Sequence, residues 1–314
     1  MRTLDLRGIV PACVTPFTPD GAIDHADLAL HGRWLAGVPG VKGIVCNGHA
    51  GERLSLSEQE RADVVKTLVD ATDGRVPIIS GICADGSSIA GAEAQKMAKA
   101  GAAAGLLYPA HSWLRFGYQK GAPVDRYRIV AEQSGLPLIL FQYPEATKAT
   151  YDLATQIEIS QLPAVFAIKN GVRDMRRWDT EVPILRATFP HLQILTCHDE
   201  YLLHTMFDVD GALVGYGALV PEALSDMLTC GKRRDYPGAR AIHDRLLPLT
   251  RLVYHRASHM EATVALKLGL VDRGVIRSAT VRSPLLDIEP EAKVAISSAL
   301  KLAGVGPIRL PVEA

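Results

Sequence analysis

The chain has 314 residues, and its 34 lysines and arginines balance 34 aspartates and glutamates. No excess charge draws it to nucleic acid or to an acidic membrane surface, and small neutral or anionic substrates fit better. The five cysteines, Cys13, Cys46, Cys83, Cys197 and Cys230, are scattered and form no Cys-x-x-Cys pair, which argues against a disulfide framework and a structural zinc. No stretch has the length of a signal peptide or the roughly 18 apolar residues of a membrane span, so the cytoplasm is the expected compartment.

Short apolar runs alternate with helical patterns along the chain. Strands are predicted at residues 9–14, 41–46, 76–82, 105–108, 138–141, 165–169, 193–196 and 212–214. Between them lie helical stretches such as 27–35, 57–69 and 91–100, the second opening on Ser57-Glu58-Gln59-Glu60. Asp85-Gly86-Ser87-Ser88 reads equally as a phosphate loop or as the cap of the helix that follows. After the eighth strand come helical patterns at 221–228, 238–251, 260–268 and 290–302. Repeated strand–helix alternation predicts an α/β fold, a parallel (β/α)8 TIM barrel, with its chemistry on the loops after the strands' C-terminal ends. The barrel is expected over residues 1–220, and the last barrel helix with a C-terminal helical extension over 221–314.

Lys169 stands out on this frame. It closes the apolar run Val165-Phe166-Ala167-Ile168 and precedes the turn Asn170-Gly171. Burial of an amine disfavours its charged form and leaves it nucleophilic toward carbonyls, which is the chemistry of a Schiff-base lysine. Gly48-His49-Ala50-Gly51-Glu52 follows the second strand and precedes a helix, so its main-chain N–H groups can form an anion-binding nest. His198-Asp199-Glu200 has the composition of a metal cluster, but three consecutive residues do not converge on one ion.

These segments carry a resemblance. Val14-Thr15-Pro16-Phe17, Gly48-His49-Ala50-Gly51-Glu52, Ile168-Lys169-Asn170-Gly171 and Gly211-Ala212-Leu213-Val214 fall in order where the dihydrodipicolinate synthase and N-acetylneuraminate lyase family has its signatures. The chain resembles a divergent member of that family of class I pyruvate aldolases. The resemblance implies an imine between Lys169 and a pyruvate-like 2-oxo acid, an aldehyde as the second partner, no metal or organic cofactor, and a homo-oligomer, tetramer or dimer. It also implies substrate contacts at Gly48, His49, Ala50, Phe141, Gly211 and Val214.

The departures matter as much. The family has Tyr-Asn-x-Pro at the end of strand five, its tyrosine moving protons with a threonine of the glycine loop. Here the segment is Phe141-Gln142-Tyr143-Pro144, and Ala50 stands at the threonine position. Tyr143 lies two residues on, so an extended strand turns it to the same face as Phe141. Tyr143 or His49, or both together, is therefore the expected proton shuttle beside Lys169. The arginine with which the lysine-pathway synthases grip a second carboxylate is Ala146 here, which makes that activity an unlikely match. Pro144-Glu145-Ala146-Thr147-Lys148 and Trp113 resemble hydratase-aldolases of aromatic 2-oxo acids, in which Trp113, Phe116 and Tyr143 would form an apolar wall and Arg115 an anion ligand. The expected activity is aldol cleavage or condensation with pyruvate, or dehydration of a 2-keto-3-deoxy acid. The rival from another class is a catalytically silent 2-oxo-acid binder.

Overall fold

Each apolar run forms a strand in the computed structural model, which describes residues 4–308. The strands are β1 (Ile9–Pro11), β2 (Ile44–Cys46), β3 (Ile78–Ile82), β4 (Ala104–Leu107), β5 (Leu138–Gln142), β6 (Val165–Asn170), β7 (Gln193–Thr196) and β8 (Gly211–Val214). All are parallel, in the order β1-β8-β7-β6-β5-β4-β3-β2, and the bridges Ile9 to Val41 and Ala12 to Val45 close the ring between β1 and β2. The result is a (β/α)8 TIM barrel.

The helices are α1 (His25–Gly37), α2 (Glu58–Thr72), α3 (Ser87–Lys99), the single turn α4 (Trp113–Phe116), α5 (Ala122–Ser134) and α6 (Leu153–Ser160). They continue as α7 (Met175–Thr188), the single turn α8 (Leu202–Thr205), α9 (Pro221–Lys232), α10 (Tyr236–Tyr254), α11 (Glu261–Asp272) and α12 (Pro290–Leu302). Caps fix several starts. Ser57 and Glu60 form a reciprocal capping box on α2, and Asp24, Asp152 and Asp174 accept main-chain N–H groups at the starts of α1, α6 and α7. Gly86 caps α3 without a side chain, because Asp85 is engaged elsewhere, accepting from the N–H groups of His111 and Ser112. Helix α9 packs on β1, and α10, α11 and α12 pack on one another. Among the described residues, no helix is long and apolar enough to cross a membrane.

The strands are buried on both faces, which is why they read as unbroken apolar runs. Alternation sorts their side chains into two cores. Val10, Val45, Ile79, Leu106, Ile139, Ala167, Leu195 and Leu213, one from each strand, fill the barrel. Their neighbours Ile9, Ile44, Ile78, Leu107, Leu138, Ile168, Ile194 and Val214 belong to the layer under the helices. Each such buried aliphatic side chain contributes about 1.5–3 kcal/mol of transfer free energy. Gly81 is required where β3 passes the second strand's loop: a Cβ there would stand 2.2 Å from the Asn47 carbonyl oxygen.

Candidate active site

Two residues beyond the inner layer, the strands present side chains to the barrel's C-terminal mouth. Ala12, Tyr108, Phe141, Lys169, Cys197 and Gly215 occupy such places and line a cavity of about 210 Å3. Lys169 is 7% exposed, and its Nζ lies 4.1 Å from the centre of the Phe141 ring. That contact is the lysine's neighbourhood on one side. Among the described residues no carboxylate pairs with it, and it lines the cavity.

Phe141 belongs to a cluster of four rings. Phe141 lies 4.5 Å from Tyr143 and 5.1 Å from Tyr108, centre to centre, both edge-on, and His49 lies 5.0 Å from Tyr108. The Tyr143 hydroxyl meets His49 Nε2 at 3.3 Å. Burial raises the pKa of Tyr143 well above that of free tyrosine. Crowding by protein, and then the charges of Lys169 and Arg53, hold His49 well below the ordinary imidazole value. Its ring keeps an open face at the mouth, so water offsets part of that depression. The pair is thus a neutral phenol beside a neutral imidazole, within hydrogen-bonding reach of each other.

His49 sits in the loop after β2, and that loop is braced from behind. Thr15 Oγ1 donates to the Gly51 carbonyl at 2.8 Å. Glu52 adopts a left-handed conformation with φ of 52° and is buried with Lys267 of α11, its Oε1 accepting from Nζ at 2.5 Å. Glu52 Oε2 accepts from the Arg282 N–H at 2.9 Å, and Lys267 donates again to the Thr280 carbonyl at 2.7 Å. Burial pushes the Lys267 ammonium down to about 8, with Glu52 opposing the shift, so the ammonium keeps its proton at neutral pH. Within the loop, the Ala50 N–H has no hydrogen-bond partner among the described residues.

The opposite side of the mouth is built by the loops after β6 and β7. Asp199 Oδ1 accepts from the Tyr216 N–H at 2.7 Å and from the Tyr254 hydroxyl at 2.9 Å, which ties the extension to the barrel. His198 is buried, with Nε2 2.6 Å from the Val172 carbonyl oxygen. Arg173 also lines the cavity, and its Nη2 stands 3.5 Å from Glu200 Oε1. No group of three or more His, Cys, Asp or Glu among the described residues is placed to hold a metal ion.

The sequence-derived candidates divide accordingly. Gly48, His49, Ala50, Phe141 and Lys169 line one cavity, and Tyr143 joins them through His49. Four others lie elsewhere. Gly211 opens β8 at the barrel's far end, where a Cβ would stand 2.3 Å from the Gly8 carbonyl oxygen. Val214 faces the outer layer, because Leu213 takes the inward place. Trp113 packs on Tyr118 at 5.6 Å, and Arg115 is exposed with its guanidinium 5.2 Å from the exposed Phe116 ring. Sequence reasoning missed Tyr108 and Arg173. Tyr108 had a signal, since it stands two residues after the inward Leu106 at a strand's end.

A sequence model described as the dihydrodipicolinate synthetase family matches residues 5–303. The 4-hydroxy-tetrahydrodipicolinate synthase of Psychrobacter arcticus is 28% identical over 302 residues, 96% of each chain. That of Haloarcula marismortui is 29% identical over 293 residues, 93% of this chain and 92% of its own. Among solved structures, dihydrodipicolinate synthase from Acinetobacter baumannii in complex with pyruvate superposes with a TM-score of 0.82 at 24% identity, covering 96% of this chain and all of its own, 100%. The Bacteroides thetaiotaomicron enzyme gives 0.83 at 23% identity, covering 95% of this chain and 99% of its own. With the family's sequence pattern running through nearly the whole of the barrel and its extension, the chain belongs to the dihydrodipicolinate synthetase family.

Proposed function

We propose that this protein is a lyase that forms a Schiff base between Lys169 and a 2-oxo acid and makes or breaks the bond between C3 and C4, releasing or consuming pyruvate. The observation that carries the reading is a buried lysine amine, paired with no carboxylate among the described residues, that lines a cavity of about 210 Å3 beside a phenol–imidazole pair. The neutral amine adds to C2, and the resulting hydroxyl takes a proton and leaves as water, giving a protonated imine. In the cleavage direction a base takes the proton of the 4-hydroxyl, the C3–C4 electron pair moves into the imine as an enamine, and an aldehyde departs. Protonation at C3 and hydrolysis then free pyruvate and the lysine.

His49 is assigned the proton-accepting role, and Tyr143 the donating one, in place of the hydroxyl that Phe141 lacks. The Ala50 N–H and its neighbours in the loop are assigned the substrate's C1 carboxylate. Ala146 offers nothing to grip a second carboxylate where the lysine-pathway synthases use arginine, so we assign this chain a different aldehyde partner. An apolar wall of Trp113 and Phe116 has no support, since neither lines the cavity.

The test needs no knowledge of the aldehyde. Pyruvate incubated in heavy water exchanges its methyl protons only if an enamine forms, and proton NMR follows the loss. Native protein is expected to catalyse exchange and Lys169→Ala to do nothing. Tyr143→Phe and His49→Ala are each expected to slow exchange by about 10² or more. Exchange no faster with native protein than in buffer would favour the catalytically silent binder.

A further inference from the structure

We infer that Cys197 is a second nucleophile of the Lys169 cavity and captures 2-oxo acids that are unsaturated between C3 and C4, forming a thioether. The inference rests on the lyase reading above and adds a modification site to it. Cys197 is the one cysteine among the described residues that line the cavity, and its thiol is free and partly exposed. Cys13, Cys46 and Cys83 are instead packed into the two cores, and Cys230 lies on α9. Lys169 itself points to a ligand: it is 7% exposed while, among the described residues, neither a carboxylate nor a hydrogen-bond acceptor engages its amine. A buried polar group left so is costly unless a ligand completes it.

Position joins the two nucleophiles. β6 and β7 are neighbours with Lys169 in register with Leu195, so Cys197 stands two residues beyond the lysine's partner, nearer the mouth. Its N–H donates to the Asn170 carbonyl at 2.9 Å, which holds it beside the lysine's strand. Cys197 Cβ and the Phe141 ring flank Gly171, each 3.8 Å from where a Cβ there would stand, and the same ring lies 4.1 Å from Lys169 Nζ. Burial raises the thiol's pKa, and the charge of Lys169 works against the rise. A protonated imine at Lys169 keeps that charge in place. Joined to Lys169 through C2, an acid with a C3–C4 double bond becomes a conjugated iminium whose C4 is electron-poor. The thiol proton passes to water, sulfur bonds to C4, and the C3–C4 π pair shifts to C2–C3 as the imine becomes an enamine. Protonation at C3 and hydrolysis return the free lysine and leave the saturated 2-oxo acid on Cys197. The whole acid is added, and nothing is oxidised or reduced overall. Such acids form when the imine of a 4-hydroxy-2-oxo acid loses water instead of breaking C3–C4, so the cavity generates the electrophile that its own cysteine takes.

The experiment uses two four-carbon probes, 2-oxobut-3-enoate and its saturated counterpart 2-oxobutanoate, each incubated with the whole protein without borohydride. Adducts are followed by intact mass and located by peptide mapping, and a separate pyruvate and borohydride trapping reports the imine. Native protein is expected to gain one 2-oxobut-3-enoate on Cys197, about tenfold or more faster than Lys169→Ala does, and nothing from 2-oxobutanoate. Excess pyruvate, by occupying Lys169, is expected to slow labelling of native protein, which reads the same dependence without a variant. Cys197→Ser is expected to take no adduct in this cavity; melting temperatures establish that both variants fold. Labelling of Cys197 that is as fast in Lys169→Ala and indifferent to pyruvate would overturn the inference. Labelling of Cys230 at the same rate as Cys197, or no cysteine adduct on native protein that does trap pyruvate, would overturn it while leaving the imine intact. No trapped pyruvate on native protein would remove the lyase reading and this inference with it.

Discussion

The two sides of the mouth are finished differently. On the β2 side the glycine loop is fastened by Thr15 and by Glu52, whose two carboxylate oxygens are both occupied by Lys267 and the Arg282 N–H. On the β6 and β7 side Arg173 and Glu200 meet at 3.5 Å and each keeps an unpartnered buried atom. A satisfied buried pair holds backbone in place, whereas an unsatisfied one leaves part of the desolvation cost of its polar atoms uncompensated. The same residue types thus form a closed strut in one place and a loose pair in the other.

Breaking the strut should cost most. Lys267→Met leaves Glu52 charged and buried, and is expected to destabilise the fold by about 3–5 kcal/mol in urea unfolding. Adding Glu52→Gln should recover part of the loss, because the orphaned charge is then gone. A smaller effect follows from pH. His31 is fully buried, and burial lowers its pKa to about 4 from the unfolded value of 6.5. A depressed histidine contributes stability that is whole above pH 6.5 and is lost as pH falls toward 4, by roughly 3 kcal/mol in all. Urea midpoints should fall across that window in native protein and fall less in His31→Gln. Ser57→Ala removes the α2 cap and should cost about 1 kcal/mol. Smallest of all, Arg173→Gln should change stability by no more than about 0.5 kcal/mol, because its one ion pair is long and partly exposed. A large loss there would erase the contrast between the closed strut and the loose pair.

The barrel was readable in the sequence because strands buried on both faces leave unbroken apolar runs with helices between them. Lys169 was readable for the same reason: a cation ending such a run is conspicuous. Inward and outward residues are harder to separate, since the runs are apolar on both faces. That is why Val214 was expected at the site while Leu213 takes the inward place. Gly211 was misplaced because a glycine needed for close strand approach looks like one needed for a ligand. Trp113 and Arg115 fold into α4, a local turn that no periodicity marks. Arg173 lies in a loop, where its neighbours and its missing partner are set by tertiary structure alone.

The central claim is that Lys169 is the carbonyl-binding amine, and intact-protein mass after pyruvate and borohydride tests it most directly. One reduced pyruvate adduct is expected on native protein, mapped to the peptide carrying Lys169, and none on Lys169→Ala. An adduct that persists in Lys169→Ala, or none on native protein with pyruvate or other 2-oxo acids, would contradict it.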